Sequence, residues 1–131
     1  MPLKIRLKSD EKIIIGGAVI RNGMRHHADL FVENNVPILR QKDILTEVDA
    51  ITPARRLYYL LQLLYIDIEQ QSKHLENLLP MIQDIAEAAP STEKYLGPLR
   101  EHLSEHEFYQ ALKMARQLIE YESILLRQTI Q

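Results

Sequence analysis

The sequence contains no cysteine. Disulfides, thiolate metal sites and cysteine nucleophiles are therefore excluded, and a reducing cytoplasm is the simplest compartment. The sequence also has no apolar run of the roughly 20 residues that a membrane-spanning helix needs. Residues 1–12 lack the unbroken apolar core of a signal peptide. We therefore expect a soluble, cytoplasmic protein with no membrane partner.

The motifs of phosphate-loop enzymes and of nucleophilic catalysis are missing as well. The pair Gly16-Gly17 stands between two β-branched runs, not between a strand and a helix, so it indicates a hairpin. No serine is predicted in the strained strand-to-helix turn of a nucleophile. Carboxylates such as Glu120 and Glu122 do not face each other on a helix. We expect no enzymatic activity and no cofactor.

The histidines give a weak metal signal. His102 and His106 are four residues apart, a spacing that can place two ligands on one helical face. A closed metal site needs three or four ligands, however. Residues 104–107 also have the pattern of a capping box, which would end one helix and begin the next. We therefore favour a solvated polar turn over a metal site.

Hydrophobic residues make up 46% of the chain, which is enough for a sizeable core. In residues 1–42 they form short alternating or β-branched runs separated by turn residues. The predicted strands are residues 3–7, 12–15, 18–21, 28–32 and 36–40. Because Pro37 donates no hydrogen bond, the last strand is expected at a sheet edge or with an irregular start.

From residue 52 onward the apolar residues follow a helical period. Thr52 and Pro53 predict the N-cap and first position of a helix with an apolar stripe over residues 57–68. A second stripe covers residues 75–86. It contains Pro80, which is expected to kink that helix or split it.

Shorter helical patterns follow over residues 93–102 and after the capping box. The sequence thus predicts an α+β fold with two domains. Residues 1–47 form a small antiparallel β-sheet or barrel-like unit of about five strands. Residues 48–131 form a C-terminal bundle of roughly three to four helices.

Charge is distributed unevenly between these two parts. Residues 1–42 hold eight Lys/Arg and four Asp/Glu, whereas residues 43–131 hold eight Lys/Arg and fourteen Asp/Glu. A basic front and an acidic back indicate different partners for the two halves. A basic patch of this size is also common among proteins that bind no nucleic acid.

Basic residues accompanied by aromatic residues give the best signal for a binding surface. Arginine and aromatic side chains are the usual contacts to phosphates and to stacked single-stranded bases. The candidate RNA contacts, near Phe31, are Arg6, Lys8, Arg25, Arg40 and Lys42. A secondary basic-aromatic patch comprises Arg55, Arg56 and Tyr59. Alternatively, Tyr58 and Tyr59 flank the core stripe and the arginines form ordinary surface pairs.

Three phrases carry a family resemblance: GAVIRNG at residues 17–23, VPILRQKDIL at 36–45 and TPARRLYY at 52–59. Together with the residues around them, they resemble the FlbT family of flagellum biosynthesis regulators over essentially the whole chain. The resemblance implies a cytoplasmic, post-transcriptional regulator that associates with the 5′ leader of flagellin mRNA and alters its translation and lifetime. It also implies a small partner regulator, FlaF. The family includes both repressors and activators.

Residues 3–44 carry a fainter pattern. Its elements are a basic strand, Asp10-Glu11, the run 13–16, Val19, Asn34, Val36, Leu39-Arg40 and Asp43-Ile44. This order resembles the CsrA family of small RNA-binding regulators, five-stranded dimers whose first and last strands meet and hold RNA. The resemblance implies RNA contacts at Arg6 and Arg40. Pro37 and the helical extension depart from the CsrA pattern and argue against an intertwined dimer.

Two functional hypotheses remain. In the first, the basic strand unit binds the 5′ leader of flagellin mRNA directly. In the second, the acidic helical part is a protein-interaction adaptor, and mRNA is affected only through a partner protein. A homo-oligomer is compatible with either hypothesis.

Overall fold

The computed structural model describes the backbone of residues 3–130 and the side chains of residues 3–128. Its strands are β1 (Leu3–Leu7), β2 (Lys12–Ile15), β3 (Ala18–Arg21), β4 (Ala28–Val32) and β5 (Ile38–Arg40). Its α-helices are α1 (Pro53–Ile66), α2 (Gln71–Ala88), α3 (Glu93–Ser104) and α4 (Phe108–Ile130). The predicted α+β fold is confirmed. The chain divides into two compact units, a strand unit and a helical unit, between Ile44 and Leu45.

The strand unit contains two antiparallel sheets. β1 pairs with β4 in one sheet, and the other sheet has the order β3-β2-β5. Its core is formed by Ile5, Leu7 and Ile13, against which Ile15, Leu30, Val32 and Ile38 pack. Because side chains alternate along a strand, Ile5 and Leu7 of β1 face this core and Lys4 and Arg6 face outward. The basic face of the first strand therefore follows directly from its alternating sequence.

The turns of this unit agree with their sequence signals. Gly16 and Gly17 join β2 to β3 with φ of 57° and 88°, as a tight two-residue hairpin turn requires. β5 starts only after Pro37 and lies at the edge of its sheet, as predicted. The carbonyl of Pro37 accepts a hydrogen bond from Gly16 N at 2.9 Å, so proline contributes its acceptor where it has no donor.

Asn22 has a structural role inside the strand unit. The side chain is only 6% exposed. Its Nδ2 group donates to the carbonyls of Leu7, Lys8 and His26 at 3.2, 3.0 and 3.0 Å, and its Oδ1 accepts from Met24 N at 2.9 Å. One buried amide thus holds the end of β1 against the loop that leads into β4.

The helical unit begins as predicted. Thr52 caps α1, because its Oγ1 accepts a hydrogen bond from Arg55 N at 3.3 Å, and Pro53 occupies the first helical position. Leu57, Leu61 and Leu64 are fully buried. The predicted stripe extends too far, however. α1 ends at Ile66, and Ile68 lies in a 3-10 turn with 59% of its surface exposed.

α2 is continuous from Gln71 to Ala88, so of the two predicted effects of Pro80, a kink or a split, the split does not occur. Pro80 cannot donate to the carbonyl of Glu76, but both residues are exposed. Water can therefore replace the missing donor. The described helices include none that is long and apolar enough to cross a membrane.

The predicted capping box at residues 104–107 is wrong. Ser104 is the last residue of α3, its Oγ donates to the carbonyl of Glu101 at 2.7 Å, and α4 begins only at Phe108. His106 has a φ of 57°, and Glu107 N bonds to the carbonyl of His102 at 2.8 Å. This is the Schellman pattern of a helix C-terminus.

A helix end therefore separates His102 from His106. His102 Nδ1 lies 3.0 Å from Glu107 Oε1, and the His106 ring packs edge-on against Phe108. Within the described residues, no group of three or more His, Cys, Asp or Glu side chains is arranged to hold a metal ion.

One side chain of α4 accepts a hydrogen bond from the first turn of α1. Glu122 Oε2 accepts a hydrogen bond from Ala54 N at 2.9 Å, in the first turn of α1. A carboxylate at this position satisfies a free amide and interacts favourably with the helix dipole. We expect Glu122→Ala to lower the free energy of unfolding by about 1 kcal/mol, measured by urea denaturation. Glu120→Ala on the same helix is the control, because Glu120 is exposed. Equal stability of the two variants would contradict this role.

Candidate nucleic-acid interface

The strand unit has a basic pocket on its surface, with a volume of about 430 Å³. It is lined by Arg6, Lys8, Glu11, His27, Arg40 and Lys42. The lining contains four cations and a single carboxylate. Four of the five predicted RNA contacts are thus brought together. The fifth, Arg25, is exposed in the loop between β3 and β4 and is not among the lining residues.

Three segments of the chain supply the cations of the basic pocket. Lys8 directly follows β1, Arg40 is the last residue of β5, and Lys42 lies in the 3-10 turn Gln41–Asp43. Arg40 Nη2 donates to the carbonyl of Arg6 at 2.8 Å. Because β1 and β5 belong to different sheets, this hydrogen bond links the two sheets directly beneath the pocket.

Glu11 is the carboxylate that lines the basic pocket, and it holds two of the pocket's segments in place. Its Oε1 accepts a hydrogen bond from Lys8 N at 2.8 Å, and its Oε2 lies 3.7 Å from Arg40 Nη2. The carboxylate is only 19% exposed. It therefore fixes the end of β1 relative to Arg40 while presenting little negative charge to solvent.

Arg6 lies opposite Asp29 across the β1–β4 pair. Asp29 Oδ1 is 3.0 Å from Arg6 Nε, and Asp29 Oδ2 is 3.8 Å from Lys4 Nζ. The hydrogen bond from Arg6 lowers the pKa of the Asp29 carboxyl below its usual value. An exposed pair of this kind contributes little to stability. A phosphate group can therefore replace the carboxylate as the partner of Arg6.

Lys8 and Lys42 differ from the two arginines of the pocket. Both are exposed, and in the part of the chain with described side chains neither has a carboxylate within 4.0 Å. Their ammonium groups are hydrated rather than paired. A polyanion can therefore interact with both ammonium groups without first breaking an ion pair.

The secondary patch lies in the helical unit. Arg56 is exposed, whereas Arg55 and Tyr59 are half-buried. Arg56 lines a helical groove of about 460 Å³ between α1 and α2. The other lining residues of this groove are Pro53, Asn77, Pro80, Met81, Asp84, Ile85 and Ala88. Tyr58 is buried and accepts a hydrogen bond from Arg116 at 3.2 Å, which agrees with the alternative that this tyrosine belongs to the core.

The basic pocket suits an anionic ligand better than a reaction. Its groups are arginine and lysine cations beside one carboxylate that is ion-paired with Arg40, and its lining contains no serine, threonine or tyrosine hydroxyl. Guanidinium groups form directed hydrogen bonds to phosphate oxygens, and ammonium groups act as point charges. The arrangement can hold consecutive phosphates of a polynucleotide.

Comparison with known proteins identifies the family. The family model of flagellar protein FlbT matches residues 3–126. The chain is 40% identical over 125 residues to the probable flagellum biosynthesis repressor protein FlbT 1 of Bradyrhizobium diazoefficiens, which covers 95% of this chain and 85% of that protein. It is 36% identical over 126 residues to the probable flagellum biosynthesis repressor protein FlbT of Rhodopseudomonas palustris. That match covers 96% of this chain and 98% of the relative.

A third relative is the flagellum biosynthesis repressor protein FlbT of Caulobacter vibrioides, 34% identical over 124 residues, with 93% of this chain and 87% of that protein covered. No solved structure matches the chain. The names of these relatives describe regulation of flagellum biosynthesis. The family match confirms the resemblance seen in the three sequence phrases. This chain belongs to the FlbT family of flagellar proteins.

Proposed function

We propose that this protein is a cytoplasmic, post-transcriptional regulator of flagellin synthesis that binds the 5′ leader of flagellin mRNA through the basic pocket. The convergence of Arg6, Lys8, Arg40 and Lys42 in one pocket carries the proposal. Binding near the start of a message alters its translation and stability. The relatives named above are called repressors, which supports repression as the direction of the effect.

The physical basis is the release of counterions from the RNA backbone. Each phosphate that a lysine or arginine neutralises releases condensed cations, so affinity falls steeply as salt rises. With two hydrated lysines and two positioned arginines, the basic pocket supplies charge for a few phosphates of a single strand. Such contacts position the RNA but do not by themselves read its sequence.

Crosslinking of purified protein to a flagellin leader RNA, with mapping of the crosslinked peptides, tests the proposal directly. We expect crosslinks in the segments around β1 and around β5, which contain Lys8 and Lys42. A leader of equal length and composition but scrambled sequence measures selectivity. Crosslinks confined to the helical unit would overturn the assignment of the pocket, and the absence of RNA binding would overturn the function.

Asp29 provides a test in the opposite direction. Asn at position 29 keeps the oxygen that accepts from Arg6 but removes the negative charge. We expect Asp29→Asn to bind leader RNA severalfold more tightly and with a salt dependence steeper by about one unit of log–log slope. Stability should hardly change, because the pair is exposed. The measurement is fluorescence anisotropy at several salt concentrations.

Glu47→Gln is the matched control for this experiment. It removes one negative charge from an exposed residue of the helical unit. If both variants bind equally tightly, net charge and not Arg6 explains the gain. If Asp29→Asn binds more weakly than the native protein, the carboxylate is needed to position Arg6 for RNA.

A second candidate function is a protein-interaction adaptor, and the helical groove favours it. Apolar side chains such as Met81 and Ile85 line the groove beside Arg56 and Asp84, so an amphipathic helix of a partner is a suitable ligand. The partner regulator FlaF is the proposed occupant. Tight binding of purified FlaF by a protein that binds no leader RNA would favour the adaptor. Leader binding without FlaF would favour direct regulation.

A further inference from the structure

Phe31 is the largest exposed apolar side chain on the outer face of the β1–β4 sheet. It is 62% exposed. Its strand neighbours Leu30 and Val32 pack against the core of the strand unit, so β4 alternates as expected and Phe31 points to the opposite side. The ring therefore contributes little to the folding of this unit, and an aromatic residue in this position calls for another explanation.

The cations around Phe31 suggest what the ring contacts. Lys4 is the direct partner of Phe31 in the antiparallel pair, and Arg6 is the partner of Asp29. Directly opposed residues lie on the same face of a sheet. The phenyl ring thus shares its face with an ammonium and a guanidinium group, and with the Asp29 carboxylate that pairs with both. Successive residues on one face of a strand are about 7 Å apart, so both cations lie within reach of a nucleotide placed on the ring.

We propose that Phe31 is a stacking platform for an unpaired base of single-stranded RNA, with the adjoining phosphates held by Lys4 and Arg6. This inference rests on the proposed RNA-binding function. Arg6 also lines the basic pocket, so the platform and the pocket form one continuous surface along β1. A single strand would run from the platform past Arg6 to Lys8.

The same charges argue against two other occupants of this face. A second copy of the chain in a two-fold arrangement would bring two faces of the same kind together, each with two cations and one carboxylate, and faces with the same net charge repel. A double helix offers no free base, because its bases are stacked inside and its grooves show only their edges. An aromatic ring flanked by cations is the arrangement by which single strands are held without sequence readout.

Substitution of Phe31 in the full-length protein tests the inference. The probes are a short unstructured single-stranded RNA and a duplex of the same sequence. We expect Phe31→Ala to weaken single-strand binding about tenfold or more and to leave duplex binding unchanged. Phe31→Tyr keeps a flat ring and should retain native affinity. The salt slope should stay the same in both variants, because no charge is removed.

Phe31→Leu separates stacking from general apolar contact, and it should behave like Phe31→Ala. A 2-aminopurine base in the single strand reports stacking through quenching of its fluorescence, and we expect Phe31→Leu to reduce this quenching. If the native protein binds the single strand and Phe31→Ala or Phe31→Leu binds it equally well, the platform is overturned and the proposed function stands. If the native protein binds neither RNA probe, the stacking platform and the proposed function are both overturned.

Discussion

Replacement of Lys8 and Lys42 by glutamate in one variant is expected to weaken binding of a flagellin leader RNA by on the order of a hundredfold. Both lysines are exposed, line the basic pocket and have no ion-pair partner among the described side chains. The variant loses two phosphate contacts and places two negative charges beside the backbone of the RNA. Because no structural contact of either side chain is removed, the strand unit should fold normally.

The control is a variant with Lys73→Glu and Lys113→Glu in the helical unit, which has the same net charge. Both of these lysines are exposed. Anisotropy titrations over a range of salt should show a shallower slope, by about two, only for the Lys8 and Lys42 variant. A similar loss of affinity in both variants would mean that net charge and not the basic pocket determines binding.

Asn22→Ala should strongly destabilise the strand unit. It leaves the buried carbonyl of Leu7 and the partly buried carbonyls of Lys8 and His26 without their shared donor, and Met24 N without its acceptor. An unsatisfied buried polar group costs about 1–3 kcal/mol, and some of these groups will reach water after the change. We expect a loss of about 3 kcal/mol in the free energy of unfolding.

Hydrogen exchange at the amides of β1 and β4 measures this effect within the strand unit, alongside chemical denaturation of the whole chain. Asn35→Ala is the control, because Asn35 is exposed in a loop of the same unit. Asn22→Asp, which retains the acceptor but loses the donor, should be nearly as unstable as Asn22→Ala. Exchange rates for Asn22→Ala that match those of Asn35→Ala would refute the role of this amide.

Local patterns in the sequence predict where strands and helices lie better than they predict which strands pair with each other. The alternation of Leu3 to Leu7 identifies β1 and its basic face, and the two glycines identify the β2–β3 turn. Alternation shows which side of a strand is buried but not which strand lies beside it. The pairing of β1 with β4 therefore emerges only in the structure.

The errors at the helix ends have a similar cause. Ser104 and Glu107 satisfy the pattern of a capping box, yet the left-handed conformation of His106 makes the same segment the end of α3. The cations of the basic pocket were predictable by type and position. Glu11 and Asn22 were not, because their roles depend on hydrogen bonds to segments that only the fold brings near.

The hydrogen bond between Ala54 and Glu122 also affects the order in which the two units can fold during translation. A ribosome makes the strand unit first, and the side-chain hydrogen bonds described above for the basic pocket and for Asn22 connect residues within the first 44 positions. The start of α1, by contrast, must wait for a carboxylate 68 residues further along the chain. A nascent chain can therefore assemble its basic pocket while the helical unit is still unfinished. In that interval the basic strand unit would be present on the ribosome without the acidic helical unit.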